Sequence, residues 1–362
     1  MYNGGARLGT LRSSMTALYV ASWTEGAGKT ALCIGIGRWL QRSGKNVTYL
    51  KPVLPEGKDG DARFVMQALG LGEPAESLTP LYLRQQEVKA ELNGGRLSDK
   101  VKQAYGTIAT GKDVVLLEGL AGLSMDAELA ETSYSVAEAV DARVMMVVAY
   151  WNNLPWEKLA SVGRRFGQRF LGLVISRVPQ KKVEVVRGET GSRLGRGGIK
   201  VLGVLSEDRS LMGVSVADIA EALQAKTLCC QEGMTEVVEN LMIGAMTPDS
   251  GADYFSRKDN KAAIVRGERP DMQLAALATS TKCLILTGGV QPPGQVLSWA
   301  EDKGVPVLLT EKDTLSTVAE VEQAFVRARF RQKGKLEKLD KVLEQGFDFS
   351  SLGRGLGLDV AS

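Results

Sequence analysis

The segment Leu18-Tyr-Val-Ala-Ser-Trp-Thr-Glu-Gly-Ala-Gly-Lys-Thr30 limits the possible folds more than any other part of the chain. It reads as an apolar, β-rich run, a loop of small residues and the start of a helix, and it ends in the Gly-Lys-Thr of a P-loop. In that arrangement the loop N–H groups and the helix N-terminus cradle phosphate, the lysine neutralises the β and γ oxygens, and the hydroxyl ligates magnesium. The expected nucleotide-binding residues are therefore Thr24, Glu25, Gly26, Ala27, Gly28, Lys29 and Thr30. Trp23 stands where the full motif has its first glycine, so the preceding strand and the following amphipathic helix carry the assignment. The plainer alternative is a Gly-rich βα turn without nucleotide.

From Ala17 onward β-rich runs alternate with helical patterns, which signals a parallel sheet covered by helices. Strands are expected at 16–22, 46–52, 113–118, 143–149, 171–176 and 199–205, and helices at 28–42, 60–70, 97–110, 134–141, 156–168, 180–192 and 214–224. That order predicts an α/β fold, a doubly wound parallel sheet of the P-loop NTPase kind, with ligands beyond the carboxyl ends of its strands. After Leu223 the regularity fails, and Met242–Gly244, Ala262–Val265, helix 271–278, strand 283–286, helix 294–303 and strand 305–310 suggest a second, smaller α/β unit. A length of 362 residues suits two such domains. The expected division is an extension over 1–15, with Met15 a candidate start, a P-loop domain over 16–227, a second domain over 228–330 and a charged tail over 331–362. Between Arg329 and Lys341 apolar residues recur at helical spacing, as in a surface or partner-packing helix.

Composition removes several classes of function. No apolar run approaches the roughly 20 residues that a membrane helix needs, so membrane embedding is not expected. A net charge of +3, dispersed along the chain, argues against a nucleic-acid partner. Cys33, Cys229, Cys230 and Cys283 have neither zinc-site nor disulfide-framework spacing, which points to a reducing cytoplasm, with Cys229 and Cys230 expected between domains. With no histidine at all, Ser-His-Asp chemistry and His-ligated metals are excluded.

Two more strand ends carry chemistry. Val47-Thr-Tyr-Leu-Lys51-Pro52-Val53 delivers Lys51 to the P-loop's edge of the sheet, or merely ends a strand in a turn. Asp113-Val-Val-Leu-Leu-Glu118-Gly119 is an apolar strand ending in a carboxylate, as a Walker-B-like acid requires to reach the metal. Asp59 and Asp61 open the next helix and either supply a further metal ligand or cap it.

The TEGAGKT loop, the Lys51-Pro52-Val53 strand end, Glu118-Gly119 and Gly172-Leu-Val-Ile-Ser176 follow the order of dethiobiotin synthetase. Over Thr16 to Phe330 the chain resembles the dethiobiotin-synthetase-like domain at the front of long phosphate acetyltransferases and the DRTGG domain that follows it there. The resemblance implies that Lys29 and Thr30 hold ATP and magnesium, that Lys51 approaches phosphate and substrate as a catalytic cation with Lys29, and that Glu118 with Asp59 or Asp61 helps hold the metal. Gly244-Ala-Met246, Asp259, Lys261, Arg266 to Asp271 and Leu286-Thr-Gly-Gly289 carry the DRTGG likeness. There Arg266, Arg269 and Asp271, with Thr287, Gly288 and Gly289 as a backbone nest, are candidates to grip an anionic ligand, unless the arginines simply pair with Glu268, Asp259 or Asp271.

The chain also departs from that family. Ser176 replaces the Asn that reads the adenine edge, so ATP and GTP are expected within about tenfold of each other, given about 0.5–1.5 kcal/mol for each lost bond. The substrate loops are replaced by Leu120-Ala-Gly-Leu-Ser124 and Tyr150-Trp-Asn-Asn-Leu-Pro-Trp156, which argues against biotin synthesis. No acetyltransferase domain lies within the sequence, so acetyl transfer is not expected. Two readings follow: a nucleotide- and magnesium-binding regulatory module, homodimeric, that senses a small-molecule effector; or an ATP-dependent ligase or phosphotransferase acting on a small carboxylate or amine. A partitioning ATPase is disfavoured, because its extra P-loop lysine is here Thr24.

Overall fold

The computed structural model describes residues 15–55, 60–79, 82–83, 87, 90–92, 94–120, 122–124, 127–193, 198–245, 251–327 and 333–359. The chain divides into two compact units, Met1–Glu207 with Arg331–Ser362, and Asp208–Phe330.

In the first unit β1 (Thr16–Ser22), α1 (Lys29–Arg42), β2 (Val47–Leu50), α2 (Gly60–Leu69), α3 (Arg96–Ala109) and β3 (Val114–Glu118) are followed by α4 (Ala127–Ala139), β4 (Arg143–Ala149), α5 (Trp156–Phe166), β5 (Phe170–Val178), α6 (Val183–Arg193) and β6 (Val201–Ser206). The six strands form one parallel sheet in the order β2-β3-β1-β4-β5-β6. A sheet with helices on both faces needs strands that are apolar throughout. Val144 to Val148 of β4 and Val114 to Leu117 of β3 are accordingly fully buried, at 0% exposure. Helix α4 begins before the expected 134–141, because Glu131-Thr132-Ser133 interrupts the apolar period; Thr132 satisfies its hydroxyl by donating to the Glu128 carbonyl at 2.8 Å.

The charged tail is not a free surface helix. α12 (Leu336–Gly346) and α13 (Phe349–Leu356) pack on the first unit. Asp340 pairs with Arg38 of α1 at 2.8 Å and with Arg42, and Phe349 stacks on Trp39 with ring centroids 4.7 Å apart. Gly35 permits this approach, since a Cβ there would lie 2.1 Å from the Leu343 side chain. The Asp348 N–H donates to the Leu202 carbonyl at 2.7 Å, so the segment also covers the edge strand β6. Its apolar face is satisfied within the chain and gives no argument for a partner.

The second unit contains α7 (Val216–Leu223), β7 (Lys226–Cys229), β8 (Asn240–Gly244), α8 (Gly251–Phe255), β9 (Lys261–Arg266), α9 (Pro270–Leu277), β10 (Thr281–Thr287), α10 (Gly294–Lys303), β11 (Val307–Leu309) and α11 (Thr314–Arg327). Its sheet runs β7-β11-β10-β9-β8, with β7 antiparallel to β11 and the other pairs parallel. This unit begins before the expected 228, because Val216, Ile219 and Leu223 of α7 pack with Ile264, Ile285 and Val321. Cys229 and Cys230 belong to its core rather than to a boundary.

Lys261 opens β9 at 0% exposure and donates to the Ser280 carbonyl at 2.9 Å. Burial pulls its pKa down to about 8, with Asp259 opposing. Between about 8 and the ordinary 10.5 the unfolded chain binds the additional proton, so stability should rise with pH there, by up to about 1.4 kcal/mol per pKa unit. Thermal melting from pH 7 to 10.5 should show this rise, and Lys261→Met should flatten it; an identical slope in the variant would rule out Lys261 as the source.

Candidate functional site

The P-loop is built between the end of β1 and the start of α1. Trp23, at the first-glycine position, is 6% exposed and belongs to the core of the unit. Its N–H donates to the Val147 carbonyl at 3.0 Å, and its own carbonyl accepts from the Ser124 N–H and hydroxyl, so the loop is anchored by burial where a glycine motif would turn freely. Leu123 likewise donates its N–H to the Ser22 carbonyl at 3.2 Å, so Leu123 and Ser124 brace the P-loop. Gly26 and Gly28 then take φ values of 66° and 100°, a left-handed backbone that favours glycine. Helix α1 starts without a side-chain cap and with no acidic residue in its first turn. Its leading N–H groups are therefore available to an anion, and the helix dipole favours one there.

Around this helix start the side chains converge on Glu118, at the carboxyl end of β3 and 3% exposed. Its Oε1 accepts from the Thr30 hydroxyl at 3.0 Å and lies 3.3 Å from Lys51 Nζ; its Oε2 accepts from the Tyr49 hydroxyl at 2.8 Å. Lys29 turns back to β1, donating to Ser22 Oγ at 2.9 Å. Burial holds the Lys29 ammonium below the usual lysine range; Glu118 opposes that shift and the Lys51 charge adds to it. An arriving phosphate would favour the charged form. Thr30 and Glu118 are oxygen donors of the kind that magnesium takes together with phosphate and water, so the residues fit that ion.

Lys29, Thr30, Lys51 and Glu118 thus come together, with Thr24 half-buried, Glu25 and Gly26 exposed and Ala27 buried in the same loop. Asp59 lies outside the described residues. Asp61 lies in α2, and nothing is described of its side chain. Ser176, buried beside the loop, donates to the Ala27 carbonyl at 2.8 Å. Its hydroxyl hydrogen is engaged in supporting the P-loop rather than free for a base. Tyr49 and Ser22 were missed by sequence reasoning; Tyr49 precedes Lys51 by two residues, and the two-residue period of a strand puts both on one face.

The second-unit candidates do not assemble as an anion site. Arg266 pairs with Glu268 at 3.1 Å and Arg269 with Asp271 at 2.7 Å. The Gly288 and Gly289 N–H groups donate to the Lys312 and Thr310 carbonyls, the Thr287 hydroxyl meets Thr314, and the Glu311 carboxylate lies against Gly289. With those N–H groups engaged and an acid beside them, the turn cannot serve as a nest.

Comparison with known proteins agrees with this geometry. A family model described as AAA domain matches residues 16–215, and one described as DRTGG domain matches 218–324. Among curated proteins, phosphate acetyltransferase of Nitratidesulfovibrio vulgaris is 24% identical over 94% of this chain and 51% of its own length. That of Pseudomonas aeruginosa is 22% identical over 95% of this chain and 52% of its own. The chain spans about half the length of these relatives. A solved structure of the CBS and DRTGG domains of the Clostridium perfringens pyrophosphatase regulatory region, complexed with diadenosine tetraphosphate, is 13% identical over 46% of this chain and 74% of its own, with a TM-score of 0.29 that carries no argument. The matched span, the parallel sheet and the P-loop geometry together mean that this chain belongs to the AAA domain family in its dethiobiotin-synthetase-like P-loop form, followed by a DRTGG domain.

Proposed function

We propose that the first unit binds ATP or GTP with magnesium, and that the second unit turns this binding, together with a small-molecule effector, into a regulatory output. The observation that carries the reading is the gathering of Lys29, Thr30, Lys51 and Glu118 around an uncapped helix start. Lys29 and the first-turn N–H groups would hold phosphate, Thr30 and Glu118 the metal, and Lys51 the terminal phosphate. Bound magnesium would neutralise phosphate charge. Four buried cysteines, free of disulfides, suit a cytoplasmic setting. No helix among the described residues is long and apolar enough to cross a membrane.

Calorimetric titration with ATP, GTP and ADP plus magnesium, followed by a phosphate-release assay, tests the reading. Binding with slow release fits a regulatory module. Release stimulated by a small carboxylate or amine would favour the ligase or phosphotransferase reading, which rests on Lys51 lying at the phosphate end of the site. A homodimer is expected from the resemblance to proteins that assemble such domains in pairs. Light scattering at micromolar concentration should give twice the chain mass of 38.9 kDa, and a monomer mass would refute it.

A further inference from the structure

Strand β5 does not end straight. Its pairing with β6 slips between Ile175 and Val178, and within that slip Arg177 sits at φ 57°. A left-handed backbone is unfavourable for a long side chain, and bulges of this kind recur beside functional sites, where they re-aim a residue. The surroundings are fixed from both sides. Ser176 is bonded to the P-loop at Ala27, and the Glu207 N–H donates to the Val178 carbonyl at 2.7 Å. Arg177 is half-buried, yet its guanidinium makes no hydrogen bond or ion pair among the described residues, and the carboxylate acting on it is that of exposed Glu207. Burial without a bonded partner is costly for a guanidinium, which is the condition of a group held ready for a ligand.

The strand order says which part of a ligand would meet it. Lys51 and Glu118 follow β2 and β3 on one flank of β1, whereas β4, β5 and β6 lie on the other. A triphosphate whose terminal end meets Lys51 and Glu118 therefore directs its nucleoside toward the ends of β5 and β6. This step rests on the nucleotide-binding reading above. We propose that Arg177 and Glu207 recognise a guanine base, so that this site selects GTP over ATP.

Guanine presents two acceptors, O6 and N7, that suit a guanidinium fork, and its N1–H and N2–H groups are donors that suit a carboxylate. Adenine sets its N6 amine where guanine has O6, so a donor would face the guanidinium, and N1 offers no hydrogen to the carboxylate. The site is thereby selective through an unfavourable contact as well as a favourable one.

The test is calorimetric titration of the intact chain with the magnesium complexes of GTP, ITP and ATP. GTP should bind about five- to a hundredfold more tightly than ATP. ITP, which lacks the N2 amine, should fall between them. Arg177→Lys keeps the charge but not the fork, and should narrow the ratio of GTP to ATP affinity, chiefly by weakening GTP. Glu207→Gln should close the gap between GTP and ITP. Equal binding of GTP and ATP by the unaltered chain, or a preference for ATP, would overturn guanine recognition while leaving nucleotide binding in place. Failure of all three triphosphates to bind would overturn both, and these decisive outcomes are read on the unaltered chain.

Discussion

Lys29→Ala is expected to weaken triphosphate binding by about thirtyfold to several-thousandfold, which corresponds to the roughly 2–5 kcal/mol lost when one member of a desolvated charge pair is truncated. The fold should survive. Lys29 contributes one hydrogen bond to Ser22, and its burial disfavours the charged form, so removing the ammonium relieves a cost in the free protein. The expected pattern is a melting temperature unchanged or raised, with nucleotide-induced stabilisation gone. Unchanged affinity would mean that phosphate is held elsewhere.

The second large effect falls on Glu118. Its carboxylate, 3% exposed, accepts from Thr30 and Tyr49 and faces Lys51, so Glu118→Ala removes the acceptor that these three groups share. Breaking a buried pair in this way typically costs about 3–5 kcal/mol of stability. Glu118→Gln separates structure from metal binding, because it keeps an acceptor oxygen but not the charge. Denaturant titration should show Gln less destabilised than Ala, while both lose the increase in nucleotide affinity that magnesium gives. A Gln variant with full magnesium dependence would exclude Glu118 as a metal ligand.

Much of this was legible because the physics is local. The small-residue loop, the apolar strand before it and the Lys-Thr after it require a βα turn of one kind, and the strands expected at 16–22 and 143–149 match β1 and β4. Lys51 and Glu118 could be placed at the site because parallel strands all end on one edge. What resisted reading was tertiary. α11 went unnoticed, since Leu315 is 81% exposed and the stripe through Val318, Val321 and Phe325 is interrupted by polar residues. The fate of the charged tail depended on Gly35, an inconspicuous residue in a helix, leaving room for Leu343. The Ser176 contact was not legible, because its partner, the Ala27 carbonyl, is distant in sequence and has no side-chain signature. The arginines of 266–271 carry their own acids within two residues, so the local pairing observed was among the possibilities considered.

The proposed magnesium–triphosphate site of the first unit consists of Lys29, Thr30 and Glu118. Its most direct test is calorimetric titration of the intact chain with GTP and with ATP, each in magnesium and in EDTA, beside the same titrations of Lys29→Ala. One saturable site per chain is expected, tighter in magnesium and lost in the variant. No binding at millimolar triphosphate with magnesium, or binding indifferent to both the metal and Lys29, would contradict it.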